Sequence, residues 1–502
     1  MRKRFRTNKQ SDSIFPIAID ELEQLLQDNF PNNPDLVFSK YHHHGKKIAV
    51  FYISYMVEID KVENYLLEPL LSMEMDWTTQ TLLNEIPVSS GKTTVYLDDV
   101  LNGILLGKVF VYIEQEKEII EYILSNKEKR SLEKAETESL VLGPKVAFTE
   151  SLITNLNIIR WRIRSTDLVL EEIKVGKKIP REVRLIYMKS VANETDVNTM
   201  RQRLLDLDVD DIEDSVVLSQ YIEDSSSNLF PQLDSTELPD RFTYSITKGK
   251  VGLLVENSPS GIVAPATLFS FLESTEDLYM KWQAGSFLRL VRFLAMFFSI
   301  IVTPGYVAVI TYHYEVMPMQ LLLSVGESRA SVPFPPLLEA LLIEFMIELL
   351  REAGARLPTK VGQTMGIVGG IVIGQAAVQA GITSNILIIV VAMSALASFT
   401  SPSYLLGTTI RLIRFPLIFL SGILGFIGLI FGICLLIIHL LRLTSLGTPY
   451  LAPLYPLSLQ DFNKVFYRLP FNMDNKRAKF NRPKDIVRYS AKEAKRKRDI
   501  DE

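Results

Sequence analysis

The hydrophobic pattern changes character along the chain. Up to about residue 285, apolar positions come in short runs divided by charge; beyond Phe287 they continue with few interruptions. In the first part, KKIAVFYISYMV (46–57) and KVFVYIEQ (108–115) have the β-branched and aromatic content of buried strands. Turns at Gly103 and Gly107 lead into the second of them. Helical periodicity flanks them around Val62–Leu71 and Lys117–Ile123, and a shorter helix is expected around Asp20–Asp28. These stretches predict a basic arm at 1–45 and a small α/β unit over 46–135. The charged linker SNKEKRSLEKAETES (125–139) closes it, and a second α/β unit is expected over 140–285. That unit opens with GPKVAFTESLITNLNIIRWRIRS (143–165), where Thr149 or Ser151 can cap an amphipathic helix carrying Arg160, Arg162 and Arg164. EVRLIYMKSV (182–191) and KVGLLVEN (250–257) read as its strands.

From Phe287 the pattern is that of a polytopic all-α membrane domain, expected over 287–457. Arg289 and Arg292 flank an apolar run from Phe293 to Tyr312, long enough to span a bilayer. Pro304 and Gly305 are expected to kink or break it. In PFPPLLEALLIEFMIELLREAGARLP (333–358), Glu339, Glu344 and Glu348 fall on one helical side. Large apolar residues there favour insertion by about 0.5 kcal/mol each, and the carboxylates oppose it by ~3 kcal/mol each. The sum excludes a lone lipid-facing span. An amphipathic helix, interfacial or covered by protein, is expected; were its acidic face to meet a pore, it would suit cations.

KVGQTMGIVGGIVIGQAAVQAG (360–381) repeats Gly362, Gly366, Gly370 and Gly374 every fourth residue. In water each glycine costs a helix about 1 kcal/mol relative to Ala. In a bilayer the bare stripe lets another backbone approach closely. Thr364, Gln375 and Gln379 make the neighbouring face polar, as packing against protein or an ion path would require. NILIIVVAMSALASF (385–399) follows, then PSYLLGTTIRLIRFP (402–416) with Arg411 and Arg414, then the apolar LIFLSGILGFIGLIFGICLLIIHLL (417–441). The tail, 458–502, is rich in Lys and Arg. Basic termini on one side require an even number of crossings. Four are expected: 290–312, 362–381, 384–400 and 416–441, with 336–352 not crossing and Arg411 and Arg414 outside.

Composition adds mostly exclusions. A net charge of −4 gives no nucleic-acid footprint. Cys434 is the sole cysteine, so neither an intrachain disulfide nor a multi-cysteine metal site is expected. The basic, then polar, first residues do not read as a secretory signal, which puts the first half in the cytoplasm. SSGKTT (89–94) lacks the glycine a phosphate loop needs, with Ile86 in its place. His42, His43 and His44 cannot share a helical face and read as an exposed turn. LDLDVDDIED (205–214) lacks the glycine and terminal Glu of a calcium loop. No enzyme chemistry, cofactor or metal site is expected.

Several blocks together resemble the A subunit of the GerA-type spore germinant receptors. They are GPKVAFTE (143–150), FPQ (230–232), TELPD (236–240), the SP (258–259) and AP (264–265) pair, ESTEDLY (273–279) and the 333–358 block. VGGIVIGQAAVQAG (368–381), IRLIRFP (410–416) and SLGTPYLAPLYP (445–456) complete the set. One departure is Leu238, where that family usually has Arg. The resemblance implies a cytoplasmic α/β region of two subdomains followed by a membrane region. It implies the spore inner membrane, a transporter-like B subunit and a lipoprotein C subunit as partners, and detection of small nutrients. It further implies a homo-oligomer forming a nutrient-gated ion channel. Gly362, Gly366, Gly370 and Gly374 would then pack at the gate. Thr364, Gln375 and Gln379 would face the path, with Glu339, Glu344 and Glu348 at its mouth.

Overall fold

The computed structural model describes residues 17–43, 45–88, 90–126, 135, 138, 141–358, 370, 374–471 and 473–490. Gly362, Thr364 and Gly366 lie outside these residues.

The first sheet joins β1 (Leu36–His43), β2 (Lys46–Ile53), β3 (Lys92–Thr94), β4 (Lys108–Ile113) and β5 (Ile119–Ile123) in the antiparallel order β1-β2-β4-β5-β3. From Ile48 onward β2 is apolar because both faces are covered. Ile48, Val50 and Tyr52 enter one core, and Ala49, Phe51 and Ile53 enter another. The sheet starts ahead of Lys46. His42 and His43 end β1 opposite Lys47 and Lys46, so they are strand residues and not a turn; Gly45, at φ 77°, makes the turn. Residues 119–123 are strand and not helix. Burial of Ile119, Ile120 and Tyr122 between β4 and β3 outweighs the helical spacing of their charged neighbours.

The second sheet joins β6 (Leu168–Val175), β7 (Arg181–Met188), β8 (Asp234–Thr236), β9 (Val251–Val255) and β10 (Gly261–Ala264) in the order β6-β7-β9-β10-β8, again antiparallel. The two subdomains therefore share one connectivity. Between them lies the helix Leu152–Arg162, capped by Ser151, whose hydroxyl accepts from Thr154 N–H at 3.3 Å. Arg164 falls beyond its end. Arg160 is fully buried, donating to the Tyr55 hydroxyl at 3.3 Å and to the carbonyls of Ser165 and Leu168. One core containing Phe51, Phe110, Phe148 and Phe242 runs across both subdomains.

Among the described residues, two helical runs are long and apolar enough to cross a membrane, Trp282–Tyr312 and Tyr404–Arg442. The first continues through Pro304 and Gly305 without ending. The second breaks at Gly425, whose φ of 59° and ψ of −141° are not helical, and there the chain doubles back. A Cβ on Gly432 would lie 2.4 Å from Leu417, and one on Gly428 would lie 2.1 Å from the Leu420 carbonyl oxygen. In a straight helix, fifteen residues would span about 22 Å. Both ends of the run reach the same loop: Thr409 donates to the Leu229 carbonyl at 2.8 Å, and His439 lies 2.6 Å from Asn228 Oδ1. At the far tip, the Tyr312 hydroxyl donates to the Ile423 carbonyl at 2.8 Å. From Tyr404 the stretch 402–416 is helix, and the expected last span 416–441 does not run unbroken. The stretch is the outgoing arm of a helical hairpin, so Arg411 and Arg414 stand inside the helical layer and not outside it. Small residues of the 417–441 run, Gly428 and Gly432, let the two arms approach.

Between these runs, the acidic helix Pro336–Arg356 packs antiparallel to Trp282–Tyr312, placing Ala340 near Val307 and Glu344 against Thr303. The helix Asn385–Ser398 packs chiefly on Trp282–Tyr312 as well. The tail returns to the second subdomain. Arg477 donates to the Thr247 carbonyl at 3.1 Å, and Lys484 N–H donates to the Val191 carbonyl at 2.9 Å.

Candidate functional site

Charged groups inside an apolar layer must be paired or solvated, and the helical region pairs them in three tiers along the acidic helix. Glu339, 1% exposed, accepts from Arg329 at 2.8 Å, from the Thr383 hydroxyl at 3.1 Å and from Ser384 N–H at 2.7 Å. Five residues on, Glu344 accepts from Arg414 at 2.8 Å and from the Thr303 hydroxyl at 3.1 Å. The same guanidinium donates to Ser299 at 2.6 Å, and the Ser394 hydroxyl donates to the Ser299 carbonyl at 3.0 Å. This middle tier joins four helices through one buried ion pair. Glu348 makes the loosest tier, half-buried, 3.4 Å from Arg411 and 3.6 Å from Arg351.

The three glutamates thus share a face, as their spacing predicts, and each meets an arginine. Sequence reasoning missed those partners. The signal was present: two arginines within an apolar run and a row of carboxylates in another are most readily accommodated together. The glycine side is different. Gly370 is exposed, and added Cβ atoms at Gly370 and Gly374 would meet nothing within 4 Å among the described residues. Gln375 and Gln379 are exposed on the same segment. The structure therefore does not bring the glycine helix's described polar residues to the glutamates.

A second cluster sits where the helices leave the second subdomain. Asp277 is fully buried, held by Arg292 through two bonds of 2.8 and 2.9 Å and by Arg289 at 3.0 Å. Arg468 of the tail donates to the Asp277 and Met280 carbonyls, fastening the tail to the helix base. Nearby, Arg241 bridges Asp234 and Glu138. Burial alone would push the guanidinium down, but those two carboxylates more than reverse it and hold it above its ordinary range.

Several of the sequence blocks converge at this junction. Ser445 donates to the Gln232 carbonyl at 2.6 Å and accepts from Ala266 N–H at 2.9 Å. Tyr450, fully buried beside Phe230, donates to the Pro231 carbonyl at 2.8 Å, and its own carbonyl accepts from Leu268 N–H at 2.9 Å. FPQ, the AP pair and SLGTPY are thus one contact surface between subdomain and helical region. Residues 24–480 match the family described as Bacillus/Clostridium GerA spore germination protein. This chain belongs to the GerA family.

Among curated GerA-type relatives, spore germination protein GerQA of Bacillus cereus is 39% identical over 480 residues, covering 95% of each chain. Spore germination protein GerIA of Bacillus cereus is 40% identical over 455 residues, 89% of this chain and 68% of the relative. Spore germination protein A1 of Bacillus subtilis (strain 168) is 36% identical over 485 residues, 93% of this chain and 96% of the relative. Among solved structures, the N-terminal domain of the A subunit of the Bacillus megaterium spore germinant receptor GerK3 is 26% identical. It covers 50% of this chain and 96% of that one, with a TM-score of 0.40.

Proposed function

We propose that this GerA-family chain is the membrane subunit of a nutrient-sensing germinant receptor in the spore inner membrane. It acts with a transporter-like B subunit and a lipoprotein C subunit, and its copies assemble into a ligand-gated channel that releases cations when germination starts. The observation that carries the channel reading is the bare surface at Gly370 and Gly374, which have open space before them among the described residues, with Gln375 and Gln379 exposed nearby. A second copy laid there would be met by backbone and by amides, as a tight polar constriction requires. On this reading Gly362, Gly366 and Thr364 extend the same face. Glu339, Glu344 and Glu348 hold the closed arrangement through their arginines, and attract cations when Glu348, the least buried, parts from Arg411.

A nutrient shifts such an equilibrium only by binding the open state more tightly than the closed one. Spores carrying Gly370→Leu or Gln375→Leu, at equal receptor level, are expected to release cations more slowly after nutrient addition. Release at the wild-type rate by both variants would remove the path from this segment. One observation favours a second reading. Each acidic side chain is neutralised within its own chain, as suits an assembly subunit without its own conduction path. Purified chain in planar bilayers separates the two, since the scaffold passes no current under any gating condition.

A further inference from the structure

Below the helical region lies a cavity of about 450 Å³, walled by the second subdomain, the base of the Trp282–Tyr312 helix and the returning tail. Cationic side chains outnumber carboxylates along its lining. The two carboxylates there are already engaged. Glu273 faces Lys248 at 3.3 Å and Arg289 at 3.7 Å, while Asp474 pairs with both Lys464 and Arg488. Lys250 is 6% exposed, and its amino group donates to the Ser270 hydroxyl at 3.2 Å. Asp234, whose charge acts on Lys250, is committed to Arg241 by bonds of 3.0 and 3.1 Å. Lys248 and Arg468 are held by aromatic faces, each 4.1 Å from the ring centre of Tyr244 and Phe471 respectively. A ring face orients a cation without supplying a counter-charge.

We propose that this cavity binds a phosphate-bearing anion, with Lys250 at its floor and Lys464, Arg468 and Arg488 at its rim. Clustered, incompletely neutralised cations between low-dielectric walls raise the local concentration of anions. Burial pushes the Lys250 and Lys464 ammonium groups down to about 8, with neighbouring cations adding to the effect, and an anion among them would reverse it. Phosphate suits the geometry because guanidinium and ammonium groups reach it from several sides. The cavity lies beside the base of an apolar helix of membrane-crossing length, at Arg289. The phosphate can therefore come from an anionic phospholipid headgroup or from a phosphorylated solute. This inference does not rest on the channel reading, and a chain without conductance would still carry the cavity.

The test uses the full-length chain in nanodiscs and reads its thermal unfolding. One arm holds the lipid at phosphatidylcholine and titrates inorganic phosphate; the other adds phosphatidylglycerol without phosphate. Ligand that binds the folded state raises the midpoint. The wild type is expected to gain stability in at least one arm, the responding arm naming the source. Lys464→Gln and Arg488→Gln, both at the rim, are expected to lose at least half of that gain, each measured from its own midpoint in neutral lipid without phosphate. Lys250→Met, at the floor, is expected to lose all of it. If that last variant fails to fold, the rim pair decides. A wild type indifferent to both arms, or rim variants with the full gain, would overturn the assignment.

Discussion

The two α/β subdomains have the same strand order but opposite solutions to the same packing problem. In the first, the helix Leu97–Ile104 contributes the glycine and β4 the ring: a Cβ on Gly103 would lie 2.4 Å from Phe110. In the second, the helix Pro239–Thr247 contributes the ring and the strands the glycines. A Cβ on Gly252 of β9 would lie 2.3 Å from Phe242, and one on Gly261 of β10 would lie 2.7 Å from it. Even the turn into each helix is shared, since the Thr94 hydroxyl accepts from Tyr96 N–H and that of Thr236 from Leu238 N–H. What differs is charge. Arg241 is buried between two carboxylates, whereas Asp99, at the matching place on the first helix, is exposed and bonds only to Thr94 among the described residues. At this place the first subdomain leaves its charge to solvent, and the second buries it in a coupling next to the helices.

That contrast can be broken most forcefully at Arg241. Arg241→Ala leaves Asp234 and Glu138 buried without their partner and is expected to cost about 3–5 kcal/mol. Asp99→Ala should stay within about 0.5 kcal/mol. Hydrogen exchange of the full chain in detergent reads both, through protection of β9 and β10 in one case and of β4 and β5 in the other. Equal effects would mean that the charge difference has no energetic content. Next come the reciprocal ring pockets. Gly252→Val and Gly103→Val each drive a side chain into a buried Phe, at an expected cost of about 1–3 kcal/mol. Truncating the opposing ring, Phe242→Leu or Phe110→Leu, should recover part of each loss.

A last comparison concerns Asp196 in the second subdomain. It is 1% exposed, and neither carboxylate oxygen has a hydrogen-bond partner among the described residues. Burial raises its pKa from 3.8 to about 6, with Arg482 of the tail opposing. Because the folded state holds this proton more tightly, the stabilisation is complete below about pH 4 and is lost as pH rises through about 6. Asp196→Asn cannot titrate. Its unfolding should lose that slope and show higher stability than wild type at pH 7, with the difference shrinking toward pH 4.

How much of this was legible in the sequence follows from where each residue's partner lies. β2 and β4 announce themselves because both faces are buried, so their apolar runs are continuous. β5 hides because Glu118 and Glu121 break its run at helical spacing. The duplication of the sheets is invisible because ring and glycine have exchanged places between helix and strand. In the helical region the glutamate face could be read locally. Its arginines could not: the Glu344–Arg414 bond joins residues 70 apart. The hairpin was masked for a related reason, since Gly425 looks like one more small residue in a packing face until its backbone angles are known.

The returning tail sets an order on the making of the protein. Lys484 bonds the carbonyl of Lys189 and the carboxylate of Glu194, residues synthesised some 290 positions earlier. Domains generally fold as they emerge from the ribosome, N-terminal first, yet these last contacts of the second subdomain must wait until the long helices before Lys484 have been translated. A chain that stalls partway through its helices is left with an unfastened edge on its second subdomain, a mark by which proteolysis can tell unfinished copies from finished ones.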